Sequence, residues 1–275
     1  MPNILEKKSD SRFPANDVAS SQDAVNRRVY HSDRVYRFYL SNVLTPPEAA
    51  ALLKYQGHIA GRDILEIGVG AGRTARYLAP IAGHYEAIDY SPVMVRYMNQ
   101  TMPQLSVREA DFRNLQIFGD NSFDFVFAPD NVIDALPHQD RMQALMESYR
   151  LLRPGGLLVF SSHNVRYRGA FSGPRLNWSS NPLRLAANFV NYFRGCWNHL
   201  RVGPLRQDLG SYALLNDEGH HYACLHYYAA RTIVTDQLKK VGFRSLDVFN
   251  NEGQIALAGH DDSHSPSLLY VALKT

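Results

Sequence analysis

The sequence has 275 residues, 45% of them hydrophobic, enough to bury one sizeable core and near the upper end for a single domain. Charged residues make up 20%, and the net charge of +3 is a scattered basic excess with no Lys/Arg run that suggests a phosphate-backbone groove. Cys196 and Cys224 form neither a disulfide framework nor a metal-ligand spacing. The first residues are polar, with no signal-like apolar core, and no apolar stretch approaches a membrane span. These features point to a cytoplasmic protein with neither a membrane nor a nucleic acid as partner. Residues 1–23 are expected to lack fixed structure, and residues 24–275 to form one domain.

In chain order, residues 24–39 read as helical, mixing charges with Val25, Val29, Val35 and Phe38. Thr45 caps a second helix that opens on Pro46 and Pro47 and stops at Gly61. Strands then alternate with helices. Strands are predicted at 63–67, 85–88, 105–109, 123–128 and 157–161, and helices at 73–79, 92–102 and 139–152. The last of these helices presents Met142, Leu145, Met146, Tyr149 and Leu152 on one face, and Pro154-Gly155-Gly156 ends it. Residues 164–228 break the rhythm with Asn, Arg, Gly, Pro and aromatics and one predicted helix at 182–193. That stretch is too long for a plain connection. A helix at 229–241 and strands at 243–249 and 267–273 follow. Such alternation implies a parallel sheet covered on both faces, with ligands beyond the carboxyl ends of its strands.

The first strand carries Glu66, and the turn after it carries Gly68, Gly70 and Gly72. A tight strand-to-helix turn needs backbone angles that favour glycine, and a ligand approaches a backbone more closely without Cβ atoms. The next helix offers unpaired N–H groups. A dinucleotide fits this logic, and so does a nucleoside joined to an amino acid. The spacing is G-x-G-x-G rather than G-x-G-x-x-G. Asp89 follows the second strand, where a carboxylate accepts bonds from both ribose hydroxyls, and Asp111 follows the third, where one can accept an adenine amine.

Ile64-Leu-Glu-Ile-Gly-Val-Gly-Ala-Gly-Arg73, Ala87-Ile-Asp-Tyr-Ser91, Ala110-Asp-Phe112, Phe123-Asp-Phe-Val-Phe-Ala128 and Leu151-Leu-Arg-Pro-Gly-Gly-Leu-Leu-Val-Phe160 stand in that order. Together they resemble the class I, Rossmann-like, S-adenosylmethionine-dependent methyltransferases. The resemblance implies an α/β fold with a doubly wound, seven-stranded, mostly parallel sheet whose last strand is antiparallel. N-terminal helices and an insertion after strand five complete it. It implies that Glu66 and the backbone at Gly68 and Gly70 face the methionine part of S-adenosylmethionine, with Gly72 in the same cofactor-binding turn. Asp89 would bind the ribose, Tyr90 cover the adenine, Asp111 and the Phe112 backbone hold the adenine amine, and Asp130 and Asn131 lie near the transferred methyl. N-terminal helices of related enzymes close over the cofactor, which makes Tyr30, Tyr36 and Tyr39 candidates for contact with it.

Methyl transfer to an alcohol, phenol or amine needs orientation and a proton acceptor, and His is the usual base. His163, directly after strand five, and His226 are the candidate catalytic residues, ahead of His138, His220 and His221. His220, His221 and His226 lack an evident carboxylate to complete a metal site, so no metal is expected. The aromatic-rich segment 164–228 reads as an acceptor-site lid, and its arginines suit an anionic acceptor. A small-molecule acceptor, a natural product or sugar derivative, is expected. A nucleic-acid or protein methyltransferase is the alternative, although no Asn-Pro-Pro-aromatic motif, no Pro-Cys nucleophile and no basic appendage is present. A nicotinamide-dependent oxidoreductase fits Asp89 but not the glycine spacing. A non-catalytic cofactor-binding regulator is also compatible with the turn.

Overall fold

The computed structural model describes residues 15–33, 35–40, 43–257 and 259–275. Helix α1 (Ala15–Tyr30) and a 3-10 turn (Val35–Tyr39) precede α2 (Pro46–Lys54). Helix α1 begins at Ala15, within the segment 1–23 expected to lack fixed structure; residues 1–14 lie outside the described residues. What the sequence pattern missed is the anchoring of this polar helix. The Gln22 and Asn26 side chains donate to the backbone carbonyls of Asp134, Ala135 and Leu225, and Asn26 accepts from the Leu225 N–H.

The alternation then runs β1 (Asp63–Ile67), α3 (Ala75–Leu78), β2 (His84–Asp89), α4 (Pro92–Thr101), β3 (Ser106–Glu109), β4 (Phe123–Ala128), α5 (His138–Leu151) and β5 (Leu152–Asn164). Parallel pairing sets the order β3-β2-β1-β4-β5. After α7 (Arg231–Val241), β9 (Phe243–Phe249) and β10 (Ser267–Lys274) complete the sheet, with β10 antiparallel between β5 and β9. This is the expected seven-stranded arrangement. Successive residues of a strand point to opposite faces. Leu65, Val126 and Leu158 therefore pack with Leu145, Val234 and Leu238 in one layer. Ile64, Phe125, Phe127 and Val159 pack with Ala51, Leu78 and Met98 in the other.

Two details differ from expectation. The buried side of α5 is Arg141, Ala144, Leu145, Ser148 and Leu151, while Met146 is 46% exposed. The helix is rotated because the Arg141 guanidinium turns inward to Asp134. The segment 164–228 holds more than one helix: α6 (Pro182–Val202) is nine residues longer than expected at its C-terminal end, and β6 (Gln207–Asp208), β7 (Tyr212–Leu215) and β8 (His226–Ala229) bring the sheet to ten strands. The last β4–β5 pair is Ala128 with Phe160, and β10 occupies the other edge of β5 as far as His163. The edge vacated by β4 is taken by β8, which pairs His163 with Tyr228 and Asn164 with Ala229. This extension brings His163 and His226 to the same wall.

Candidate functional site

A cleft opens at the carboxyl ends of β1, β2 and β4. Among the residues lining it are Gly68, Gly70, Asp89, Tyr90, Asp111 and Phe112. Gly68 and Gly70 have φ of 71° and 54°, the left-handed region that favours glycine. A Cβ on Gly68 would overlap the Val132 isopropyl group. Asp89 is buried. Its Oδ2 accepts from the Gly70 N–H and its Oδ1 from the Ser91 N–H, each at 2.9 Å. Burial pushes its pKa up to about 6 against those backbone hydrogen bonds. Each carboxylate oxygen accepts about two bonds, so both keep a lone pair for the cleft.

Asp111 is committed differently. Its Oδ1 accepts from the Arg113 backbone N–H and Nε at 3.0 and 2.9 Å, and its Oδ2 from Arg113 Nη2 at 2.6 Å and Arg27 Nη2 at 3.3 Å. Burial alone would raise its pKa, but the Arg113 hydrogen bonds and charge hold it below the usual carboxylate range. All four acceptor positions are filled, so a ligand amine there has to displace a donor, and Arg27, the longest bond, is the one most easily released.

Glu66 and Gly72 do not line the cleft. Glu66 is fully buried beneath the turn, accepting from the Thr74 hydroxyl and, at 2.7 Å, from the Tyr85 hydroxyl. It braces the turn from below. Gly72 packs on α4, where a Cβ would sit 2.8 Å from Met98 Sδ. Burial lifts the Glu66 pKa from 4.5 to about 7, with the Thr74 and Tyr85 hydrogen bonds opposing. Between those values the folded chain holds a proton that the unfolded chain has lost. Stability is therefore greatest below pH 4.5 and falls as pH rises to about 7, by about 3 kcal/mol from this group. Urea titrations are expected to give a higher midpoint at pH 5 than at pH 8, and Glu66→Gln to shrink the gap; an undiminished gap would assign it to other groups.

Past β4, Asp130 and Asn131 have φ of 54° and 57°, two consecutive non-glycine residues in the left-handed region. The Asn131 N–H donates to Ser161 Oγ at 2.7 Å. Asp130, with its pKa raised by burial against the pull of Arg73, lies on the boundary between the cleft and a second, outer cavity. Tyr30 and Tyr39 share that boundary. Asn131 faces only the outer cavity. Tyr36 stacks on Tyr97, 5.1 Å between centroids, and lines neither.

The outer cavity holds His163, Asp217, His220, His221 and His226. His163 Nδ1 lies 2.7 Å from Asp134 Oδ2, and Asp134 is paired in turn with the fully buried Arg141. The ring stacks between His226 and Tyr228, at 5.1 and 4.6 Å. His226 Nδ1 lies 2.7 Å from Asp217 Oδ2, which also accepts from the Tyr228 hydroxyl at 2.8 Å. Burial opposes the charged form of His226, yet the Asp217 carboxylate raises its pKa well above the ordinary value. Burial pushes His220 down to about 4, and its Nε2 meets the Tyr39 hydroxyl at 2.8 Å. His138 faces away, bonded to Tyr227 and stacked on Tyr212.

Sequence reasoning missed Asp134 and Asp217. No spacing signals either: Asp134 reaches His163 from the turn after β4, alongside β5, and Asp217 reaches His226 across the connection from β7 to β8. Asp217 also supplies a carboxylate to a histidine set: the ligand atoms of His163, Asp217 and His226 lie within 4.8 Å of one another. The missing carboxylate on which the expectation of no metal rested is therefore present, and Asp217 Oδ2 is itself bonded to His226 Nδ1 at 2.7 Å.

Residues 64–156 match the family model described as a methyltransferase domain. Residues 64–156 are a class I methyltransferase domain. The sheet that carries this methyltransferase domain has the same overall path as two solved structures. One is a 1,6-didemethyltoxoflavin-N1-methyltransferase of Burkholderia thailandensis, with TM-score 0.58 and 14% identity, covering 100% of this chain and 99% of that one. The other is the CcbJ methyltransferase of Streptomyces caelestis, with TM-score 0.61 and 18% identity, covering 90% and 98%. A probable S-adenosylmethionine-dependent methyltransferase of Mycolicibacterium smegmatis is 34% identical over 105 residues, 38% of this chain and 39% of its own. A demethylmenaquinone methyltransferase of Listeria welshimeri is 32% identical over 115 residues, 36% and 44%. The chain thus spans less than half the length of these curated relatives, and the family model ends before His163, Asp217 and His226.

Proposed function

We propose that the protein transfers a methyl group from S-adenosylmethionine to an oxygen or nitrogen nucleophile of a small-molecule acceptor held in the outer cavity, in the cytoplasm. The observation that carries this is the junction of the two cavities at Tyr30, Tyr39 and Asp130. A donor in one and an acceptor in the other meet there. The cleft suits the donor's nucleoside. Asp89 presents two free lone pairs to a diol, and Gly70 leaves room for a ligand against the backbone.

S-adenosylmethionine, when bound, supplies an electrophilic methyl on a sulfonium. The chain supplies position and a base. Asp134 holds the His163 Nδ1–H, which leaves Nε2 as the acceptor nitrogen on the cavity side, where an incoming substrate has to displace the long, 3.3 Å hydrogen bond from Asn131 Nδ2. His163 Nε2 takes the acceptor's proton as the bond to carbon forms. His226, kept protonated by Asp217, is a poor base at neutral pH and serves as the charged partner that fixes Asp217. Of the two catalytic candidates, His163 is therefore the base.

With labelled methyl donor and cell extract, label is expected in the fraction that passes a filter retaining protein and nucleic acid, and a chelator is expected to leave the rate unchanged. Label confined to the retained fraction would move the acceptor to a macromolecule. Loss of rate with chelator would make the His163–Asp217–His226 group a metal site.

A further inference from the structure

Helix α6 is packed the wrong way round for a soluble domain. An amphipathic helix ordinarily turns its apolar stripe to the core. Here the inward side is small and polar. Gly195 is buried against Tyr222 and Pro174, Asn198 donates to the His221 carbonyl at 2.9 Å, and Asn188 donates to the Asn177 carbonyl at 2.7 Å. The outward side carries Leu183, Val190, Phe193, Trp197 and Leu200, all at least 60% exposed. Positions 183, 190, 193, 197 and 200 lie at helical spacing, so these side chains form one stripe. Trp178, 77% exposed, meets Phe189 edge-on at 6.4 Å and widens the patch.

The segment that carries this stripe has charge of one sign, although Glu218 lies on the turn packed against α6. Residues 164–207 contain seven arginines and no Asp or Glu. Arg184, Arg194 and Arg201 are exposed on α6, and no carboxylate among the described residues lies within salt-bridge distance of them. A second copy docked stripe to stripe would bring arginine against arginine, with no acid in the segment to meet it. An anionic lipid surface meets both the apolar and the cationic part.

We infer that the outward face of α6, with Trp178, is a docking surface for a membrane rich in anionic phospholipid. This departs from the expectation of no membrane partner. No described helix is long and apolar enough to cross a membrane, but a helix lying in the interface needs no span. Asn188, Asn191 and Tyr192 of the same helix line the outer cavity, so its wall lies next to the docked surface.

The chain's two tryptophans both belong to this patch, so their emission reports docking directly. With vesicles of phosphatidylcholine and phosphatidylglycerol, the protein is expected to co-sediment and its emission to shift to the blue, both reversed by high salt. The R184Q/R194Q/R201Q variant is expected to bind roughly a hundredfold more weakly, about fivefold per arginine. Trp197→Ala with Phe193→Ala is expected to abolish co-sedimentation. Unchanged S-adenosylhomocysteine affinity shows the variants folded and keeps this question apart from the methyl-transfer reading. Three results overturn the inference: no co-sedimentation with phosphatidylglycerol vesicles, equal binding to phosphatidylcholine alone, or a lipid-free blue shift that disappears together with a dimer on dilution.

Discussion

Asp89→Ala is expected to weaken S-adenosylhomocysteine binding at least about a hundredfold. Asp89 brings to the cleft a buried negative charge whose two oxygens each keep an acceptor position beyond the Gly70 and Ser91 N–H groups. A hydrogen bond to a charged group contributes about 1.5–3 kcal/mol, and two of them correspond to roughly a hundredfold to ten-thousandfold. The substitution also strips the Gly70 and Ser91 N–H groups of their acceptor, which loosens the turn that the ligand lies on. Asp89→Asn keeps one acceptor oxygen and is expected to fall between. Because burial holds Asp89 near 6, affinity of the unmodified protein is itself expected to weaken as pH drops below about 6, where the carboxyl takes up a proton. Calorimetry checks each point, with thermal melts to show that the variants are folded. An alanine variant that binds within about threefold of the original would remove Asp89 as a ribose ligand.

The second large effect separates His163 from the carboxylate behind it. His163→Gln is expected to lower turnover by about 10²–10⁴ while leaving S-adenosylhomocysteine affinity unchanged, the signature of a lost base. Asp134→Ala is expected to do more. It releases His163 Nδ1 and also leaves the Arg141 guanidinium, fully buried, without its charge partner. Orphaning a buried charge costs about 3–5 kcal/mol, and the remaining bonds of Arg141 to Gln237 and Ser162, both 3.1 Å, do not replace a carboxylate. Denaturant titration is therefore expected to show a large stability loss for Asp134→Ala and a small one for His163→Gln. Turnover of His163→Gln at the original rate would leave orientation alone as the source of catalysis; equal stability of both variants would mean that Arg141 has found another partner.

Much of this fold is legible in the sequence because its central strands are dense apolar runs bounded by turn residues. The predicted bounds of β1, β4 and β9 coincide with those observed. The face of α5 was misread because an apolar stripe is the usual guide to burial, and here a charged residue takes the inward place: Arg141 is buried by pairing with Asp134, and Met146 is left in solvent. The strands β6 to β8 escaped notice because they are two to four residues long and are held by a long-range pairing to the end of β5. The site divides along the same line. Gly68, Gly70, Asp89, Tyr90, Asp111 and Phe112 belong to local strand–turn–helix units, and the sequence puts them together at the cleft. Glu66 and Gly72 come from the same motif, but one faces down to Thr74 and Tyr85 and the other packs on Met98, a distinction that depends on side-chain direction. The pair His163–Asp134 forms where the turn after β4 meets the end of β5, and His226–Asp217 forms within the β7–β8 hairpin, two places that no local pattern marks.

The most direct measurement is calorimetry of the unmodified protein with S-adenosylhomocysteine and, separately, with NAD. Binding of S-adenosylhomocysteine with no detectable heat from NAD is the predicted result. Tight binding of NAD without binding of S-adenosylhomocysteine would contradict it.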